Sequence, residues 1–205
     1  MQRRPRVSIS AGFLVSLLLA AIISPPEVAA AVLAAAALHE AGHLAALRTF
    51  GVRAEEIRLG AFGAVIVAAG AARLSYGREL IVTLAGPAVN LICAPLIAVS
   101  AAHCSWEEGY LLAGAHLALG LFNLLPVPPL DGGQAVRLAV SYFFGPMVGD
   151  MVSAIAGTLC ALALTGLGAY WMILRGAGIL FFLAALSLLG GVLPQLALAK
   201  NAVRV

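Results

Sequence analysis

Long apolar stretches separated by short polar segments dominate this chain. They run roughly over residues 8–24, 28–47, 80–102, 110–126, 147–174 and 177–199. About 20 apolar residues cross a bilayer as a helix, and a helix satisfies its own backbone hydrogen bonds in lipid. The pattern therefore predicts an all-α polytopic membrane protein with six transmembrane helices.

The segment between the second and third stretches departs from this pattern. Its first part carries the charged residues Arg53, Glu55, Glu56 and Arg58. Leu59–Ala72 is apolar, interrupted by glycines and too short to cross a bilayer as a helix. Its β-branched residues Val65–Val67 favour extended structure. We expect a re-entrant segment or a short β-hairpin here, between transmembrane helices 2 and 3. Such backbone is tolerated at membrane depth only where protein or a wet cavity surrounds it.

Charge supports the membrane interpretation and gives an orientation. Only 10% of the 205 residues are charged, against about 25% in soluble domains. With a cytoplasmic amino terminus, every lysine and arginine except Arg175 falls on the cytoplasmic side. Both termini are then cytoplasmic, and the net charge of +3 reflects orientation, not nucleic-acid binding. The alternative for the first stretch is a cleaved signal peptide, because the basic segment Met1–Arg6 precedes it.

One pattern of residues in the second stretch points to metal chemistry. His39 and His43 are four residues apart, so both imidazoles lie on one face of a helix and can reach one ion. Glu40 can stand beside a water at that ion and act as its base. Zinc lowers the pKa of such a water to about 7. The alternative is a pair of helix-packing histidines, but ionisable side chains inside a membrane are costly and functional by default.

A catalytic zinc typically takes three protein ligands, so a third ligand is needed. The candidates are Asp131, Asp150, His116 and His103. Asp131 is the best placed by topology, because it follows the fourth stretch on the cytoplasmic side, at a depth similar to that of the histidine pair. A turn or capping role is its alternative. His116 is more typical of a packing or hydrogen-bonding histidine, and Asp150 of a helix cap.

Three ordered motifs carry a family resemblance over nearly the whole chain. They are the His39–His43 motif, the Gly86–Pro87 motif ending at Asn90, and Phe122–Pro126 leading to Asp131. The chain resembles the site-2 protease family, and among its branches it is most similar to the compact sporulation-type enzymes. It departs from many relatives at Gln134, where they carry an arginine shortly after the aspartate–glycine pair.

The resemblance implies an intramembrane zinc metalloprotease. It implies that His39, His43 and Asp131 ligate zinc, that Glu40 activates water, and that Asn90 and Asn123 lie near the active site and orient substrate. The implied substrate is a membrane-embedded protein, such as a transcription-factor precursor or a remnant signal peptide. The implied setting is the lipid bilayer of a bacterial cytoplasmic or forespore-surrounding membrane, with a possible regulatory membrane protein as partner.

Residues 1–205 are expected to form a single transmembrane metalloprotease domain, with no appended peptide-binding (PDZ) or nucleotide-binding (CBS) domain. Two other functions stay open from sequence alone. A proton or metal-ion transporter would use the same ionisable residues, although it does not require the histidine spacing with an adjacent glutamate. An inactive scaffold that holds membrane partners would not depend on Glu40.

Overall fold

The structure, a computed structural model, describes residues 6–60, 63–69, 74–175 and 178–202. Its contacts divide the chain into two compact units, Met1–Leu121 and Phe122–Val205. The expectation of a single transmembrane domain over residues 1–205 stays a prediction. Four of the arginines used to orient the chain lie outside the described residues: Arg3, Arg4, Arg73 and Arg204.

The first unit contains a small sheet and the helices that carry the histidine motif. In chain order its elements are β1 (Arg6–Ile9), α1 (Ala11–Ile23), α2 (Pro26–Thr49), β2 (Arg53–Gly60), β3 (Gly63–Ala69), α3 (Tyr76–Cys104) and α4 (Glu107–Asn123). The boundary between the two units falls near the end of α4.

Helix α2 has clear start and stop signals. Pro26 occupies its first turn, where the missing N–H costs nothing because that group has no intrahelical acceptor. Alanine-rich sequence continues the helix to Thr49. Gly51, with a φ of +73°, then adopts the left-handed conformation that reverses the chain, and its N–H bonds to the carbonyl of Arg48. The histidine motif therefore lies in the second half of a 24-residue helix.

Between α2 and α3 the chain forms an antiparallel β-hairpin. Strand β2 pairs with β3, with Ile57 opposite Ile66 and Arg58 opposite Val65. Strand β1 pairs with β2 in parallel, so the strand order is β1-β2-β3 and β3 lies at one edge. On the exposed face, Glu56 accepts hydrogen bonds from Ser8 and Arg58, both at 2.8 Å. The location of this hairpin in the membrane, including a re-entrant position, stays a prediction.

The second unit contains α5 (Asp131–Phe144), α6 (Pro146–Arg175) and α7 (Ile179–Ala202). Its buried apolar cluster joins Val127 and Leu130, which precede α5, to Val192 of α7. Cys160 of α6 packs against this cluster. The loop before α5 is thus held by the two long helices that follow it.

Three described helices are long and apolar enough to cross a bilayer: Pro26–Thr49, Tyr76–Cys104 and Pro146–Leu174. They correspond to the predicted second, third and fifth spans. The other predicted spans overlap α1, α4 and α7. Helix α1 has 13 residues, which is about 20 Å of helix, and α4 has 17. The count of six spans stays a prediction.

Two elements were not predicted from sequence. Strand β1 (Arg6–Ile9) overlaps the start of the first apolar stretch at residues 8 and 9. Helix α5 (Asp131–Phe144) lies between the fourth and fifth predicted spans, where no helix was predicted. Asp150 was expected to cap α6, but it lies inside that helix, where its carboxylate is 3.9 Å from the guanidinium of Arg137.

Candidate metal centre

The two histidines of the motif face each other on one side of α2. Their Nε2 atoms are 3.2 Å apart, and the rings meet edge to face with centroids 4.8 Å apart. His39 is buried, with 5% of its surface exposed, and His43 is partly buried. The helical spacing therefore brings the two imidazoles together as the sequence predicted.

The orientation of His43 suits metal binding. Its Nδ1 lies 2.8 Å from the backbone carbonyl oxygen of Val82 in α3. A carbonyl can only accept, so Nδ1 carries the proton and Nε2 keeps its lone pair. An Nδ1–H bond to a backbone carbonyl is a usual way of orienting a metal-binding histidine.

The spacing between the two nitrogens also fits a shared ion. Two nitrogens bound to one tetrahedral zinc at about 2.0–2.1 Å lie about 3.3 Å apart, and the observed separation of the two Nε2 atoms is 3.2 Å. The histidine pair of His39 and His43 therefore fits two corners of a zinc site.

Two glycines allow α2 and α3 to approach each other at this point. A Cβ on Gly42 would lie 2.7 Å from the carbonyl oxygen of Ala85. A Cβ on Gly86 would collide with the His43 ring and lie 2.8 Å from Nε2 of His39. Small residues are typical of close helix contacts in membranes. Gly86 therefore keeps open the space in which an ion would contact both imidazoles.

A buried polar contact continues from His39 into α3 and α4. The Nδ1 atom of His39 is 3.3 Å from Nδ2 of Asn90, and Oδ1 of the same amide is 3.1 Å from Nδ1 of His116. Asn90 and His116 are both fully buried. Asn90 therefore hydrogen-bonds between helices, as expected of a polar residue in a membrane helix, and His116 is a hydrogen-bonding histidine.

Glu40 follows His39 on α2 and is half-buried. It belongs to the same unit as the histidine pair, so its backbone position relative to the two imidazoles is fixed by one helix. A role for Glu40 as the base stays a prediction, and the same holds for substrate binding by Asn90.

Asp131 lies in the second unit, as the first residue of α5. Its position depends on the two glycines that follow it. A Cβ on Gly132 would collide with the carbonyl groups of Leu124 and Leu125, and one on Gly133 would collide with the Val127–Pro128 peptide. Ser153 of α6 also donates a hydrogen bond to the carbonyl of Gly133 at 2.9 Å. The first turn of α5 is thus held tightly against the preceding loop, and ligation of zinc by Asp131 stays a prediction.

The remaining candidates are placed elsewhere. His103 is exposed near the end of α3, 17 residues beyond Gly86, a distance of about 25 Å along the helix. Asp150 is exposed and is associated with Arg137. Asn123 is the half-buried last residue of α4, in the second unit.

Sequence analysis missed the partners of His43 and His116. Val82 contributes only its backbone carbonyl, which no side-chain pattern signals. Asn90 and His116 were each singled out, but nothing in a single sequence indicates that residues 26 positions apart on different helices are in contact.

The chain is similar to known proteins in sequence and in fold. The model of peptidase family M50 matches residues 101–167, a region that includes Asp131 but begins after the histidine pair. The fold is similar to that of the solved site-2 protease from Methanocaldococcus jannaschii, with a TM-score of 0.70 at 23% identity over 96% of this chain and 93% of that one.

Two curated proteins are also similar to part of this chain. Rip3 of Mycobacterium tuberculosis is 35% identical over 145 residues, which are 66% of this chain and 37% of Rip3. Zinc metalloprotease MJ0392 of M. jannaschii is 30% identical over 130 residues, 61% of this chain and 38% of the relative. The chain thus spans a little over a third of the length of these two relatives. The comparisons thus show a similarity to peptidase family M50 over residues 101–167 and a fold similar to that of a site-2 protease.

Proposed function

We propose that this chain is an intramembrane zinc metalloprotease, which hydrolyses a peptide bond in or near a transmembrane segment of a membrane-bound protein. The observation that carries the proposal is the pair of Nε2 atoms 3.2 Å apart, with His43 oriented by the carbonyl of Val82. The zinc metalloprotease among its relatives supports the same chemistry.

Asp131 is our proposed third ligand. Together with His39 and His43 it would offer two imidazoles and one carboxylate, a donor set that catalytic zinc sites use. The match to the M50 model over residues 101–167 supports a functional role for the region around Asp131.

In the proposed reaction Glu40 is the general base. Zinc, when bound, supplies Lewis-acid activation of the scissile carbonyl and lowers the pKa of a water to about 7. The Glu40 carboxylate accepts a proton from the attacking water and delivers it to the leaving amine nitrogen. Its position next to His39 on α2 supports this role.

An extended substrate segment is proposed to pair with the outer edge of β3. A regular helix hides its carbonyls in its own hydrogen bonds, so the scissile peptide has to unwind before attack. Strand β3 lies at the edge of the described sheet, and strand addition is a general way of holding an extended peptide. Asn90 and Asn123 would then orient this substrate near the zinc.

The cellular setting follows from the same proposal. We infer an integral membrane protein, which the three long apolar helices support. Six spans and cytoplasmic termini belong to the same proposal and rest on the sequence pattern alone. The membrane is proposed to be a bacterial cytoplasmic or forespore-surrounding membrane. A transcription-factor precursor is the proposed type of substrate, with control by a further membrane protein. Similarity to the sporulation-type branch rests on the sequence motifs alone.

Substitution of Glu40 tests the function directly. Glu40→Gln should retain one zinc per chain but lose about 10²- to 10⁴-fold in cleavage rate, the usual contribution of a general base. Glu27→Gln is the matched control, because it makes the same change at an exposed position on the same helix. The assay uses a fluorogenic peptide with one apolar span, reconstituted with the protein in liposomes, alongside metal analysis.

Two outcomes would contradict the proposal. Purified protein that binds no zinc would remove the metal centre, and a Glu40→Gln variant that cleaves at the wild-type rate would remove the base. A proton or metal-ion transporter is not favoured, because it does not require a glutamate adjacent to one of two histidines four residues apart. A transporter would move protons or metal ions across the liposome without cleaving the peptide.

A further inference from the structure

Three helices contribute to a buried series of hydrogen-bonded side chains next to the candidate metal centre. It runs from Nδ1 of His39 in α2, through the amide of Asn90 in α3, to Nδ1 of His116 in α4. Neither Asn90 nor His116 has measurable surface exposure, and His39 has 5%. Gly120, one turn after His116, brings α4 close to α3, since a Cβ there would lie 3.2 Å from Cβ of Asn90.

Each hydrogen bond in this series determines the direction of the next. If His39 ligates zinc through Nε2, its proton is on Nδ1. That Nδ1–H has to donate to the oxygen of the Asn90 amide. The NH₂ group of Asn90 then faces His116 and has to donate to its Nδ1, which must carry no proton. His116 is therefore the neutral tautomer protonated at Nε2.

The opposite orientation of the amide prevents ligation. If the Asn90 NH₂ group donates to Nδ1 of His39, the proton of His39 is on Nε2, which then has no lone pair for a metal ion. His116 would in that case donate from Nδ1 to the Asn90 oxygen. The structure has this second orientation, with Nδ2 of Asn90 next to His39 and Oδ1 next to His116. A half-turn of the amide group gives the first orientation with the same heavy-atom positions. The tautomer of His116 therefore selects between them.

Nothing else in the described part of the chain fixes this choice at His116. Its Nε2 is buried and has no hydrogen-bond partner among the described residues. Its one observed side-chain hydrogen bond is the contact at Nδ1 with Asn90. The choice of tautomer is thus coupled to the amide and, through the amide, to His39.

We propose that His116 is a positioning residue for the metal centre. Acting through Asn90, it accepts a hydrogen bond at Nδ1 and so keeps the lone pair of His39 Nε2 available for zinc. The proposal rests on the proposed zinc site. It adds that zinc binding depends on a hydrogen-bond acceptor at Nδ1 of His116, in addition to the ligands and Glu40. His116 touches neither the ion nor the substrate in this scheme.

The test compares three variants by zinc affinity, measured in competition with a chelator. His116→Phe removes the acceptor and should weaken zinc binding about 10- to 100-fold, as loss of a hydrogen-bond partner behind a metal ligand typically does. His116→Asn places an amide oxygen near the position of Nδ1 and should restore affinity to within a few-fold of wild type. His103→Phe, at the exposed end of α3, should leave affinity unchanged.

Nitrogen-15 NMR of labelled histidines gives a readout that packing alone would not change. The chain has only 4 histidines, so the signals can be assigned by substitution. In the zinc-loaded protein His39 should be protonated at Nδ1, and His116 should be protonated at Nε2 with a bare Nδ1. If His116→Phe does not fold, this wild-type spectrum decides the question.

Each result has a distinct meaning. Wild-type zinc affinity in His116→Phe, or a zinc-loaded spectrum with a protonated Nδ1 on His116, would overturn the positioning role and leave the protease proposal intact. Equal weakening in His116→Phe and His116→Asn would reduce His116 to a packing residue. Absence of zinc from the wild-type protein would overturn both proposals together.

Discussion

Replacing Gly86 with alanine should damage the metal centre while leaving the helices in place. The new Cβ would collide with the His43 ring and lie 2.8 Å from Nε2 of His39, whereas real Cβ contacts are longer than 3.0 Å. Without zinc the imidazoles can rotate away and relieve the collision. Binding of zinc has to bring them back, so the energetic cost falls on zinc affinity.

The size of this effect follows from two contributions. Inserting a methyl group into a closely packed site costs about 1–3 kcal/mol. Displacing His43 from the carbonyl of Val82 loses a hydrogen bond worth about 0.5–1.5 kcal/mol. With 1.4 kcal/mol for each tenfold change, zinc affinity of Gly86→Ala should fall about 10- to 1,000-fold. Cleavage of the reconstituted peptide at limiting zinc should fall in parallel.

Gly77 provides the matched control. It lies on the same helix α3, and a Cβ there would meet nothing within 4 Å. Gly77→Ala should bind zinc like the wild type and gain up to about 1 kcal/mol of helix stability. Affinity is measured for both variants by chelator competition. If Gly86→Ala binds zinc as tightly as Gly77→Ala, the space between the two imidazoles is not the binding position, and the argument fails.

Two further predictions concern the hairpin. Successive N–H groups of a strand point to opposite edges of the strand. One of the two variants Ile66→Pro and Val67→Pro therefore removes an N–H that faces the outer edge of β3. That variant should lower peptide cleavage about tenfold, because one hydrogen bond to the substrate is lost and the proline ring adds bulk, while its melting temperature should not change. Full activity in both variants would exclude strand addition. The second prediction concerns the pH dependence of stability. A hydrogen bond from Arg58, and to a smaller extent one from Ser8, lowers the pKa of Glu56 below its ordinary 4.5. Its stabilising contribution is therefore present above the unfolded pKa and is lost as pH falls through the folded value. Hydrogen exchange of β1–β2 amides should accelerate relative to other amides over this range, and Glu56→Gln should remove that acceleration; an unchanged pH response in the variant would contradict it.

The histidine pair could be predicted because its geometry is local. Residues four apart on a helix share a face whatever the rest of the fold does, and the apolar surroundings identified α2 as a helix. The same reasoning placed α3, with Gly86 and Asn90 one turn apart on it. The residues of the candidate metal centre that lie in the first unit could therefore be found from the sequences of α2 and α3.

The elements that sequence missed depend on distant contacts or on mixed signals. Strand β1 forms because Arg6–Ile9 pairs with residues some fifty positions later, a contact that leaves no local periodicity. Helix α5 begins with Asp131–Gly133, a combination that favours turns. Its glycines are instead required by the close approach of the preceding loop. Local propensity and tertiary packing disagree at this point, and packing prevails.

The hydrogen bond between His43 and Val82 also has a consequence for how this protein tolerates variation. Every amino acid supplies the same main-chain oxygen, so exchange of Val82 for another helix-compatible residue leaves that anchor intact. Saturation mutagenesis would accordingly find Val82 tolerant of substitution and Gly86, one turn later on the same helix, intolerant. A map of mutational sensitivity would thus overlook one of the groups that orient the imidazole.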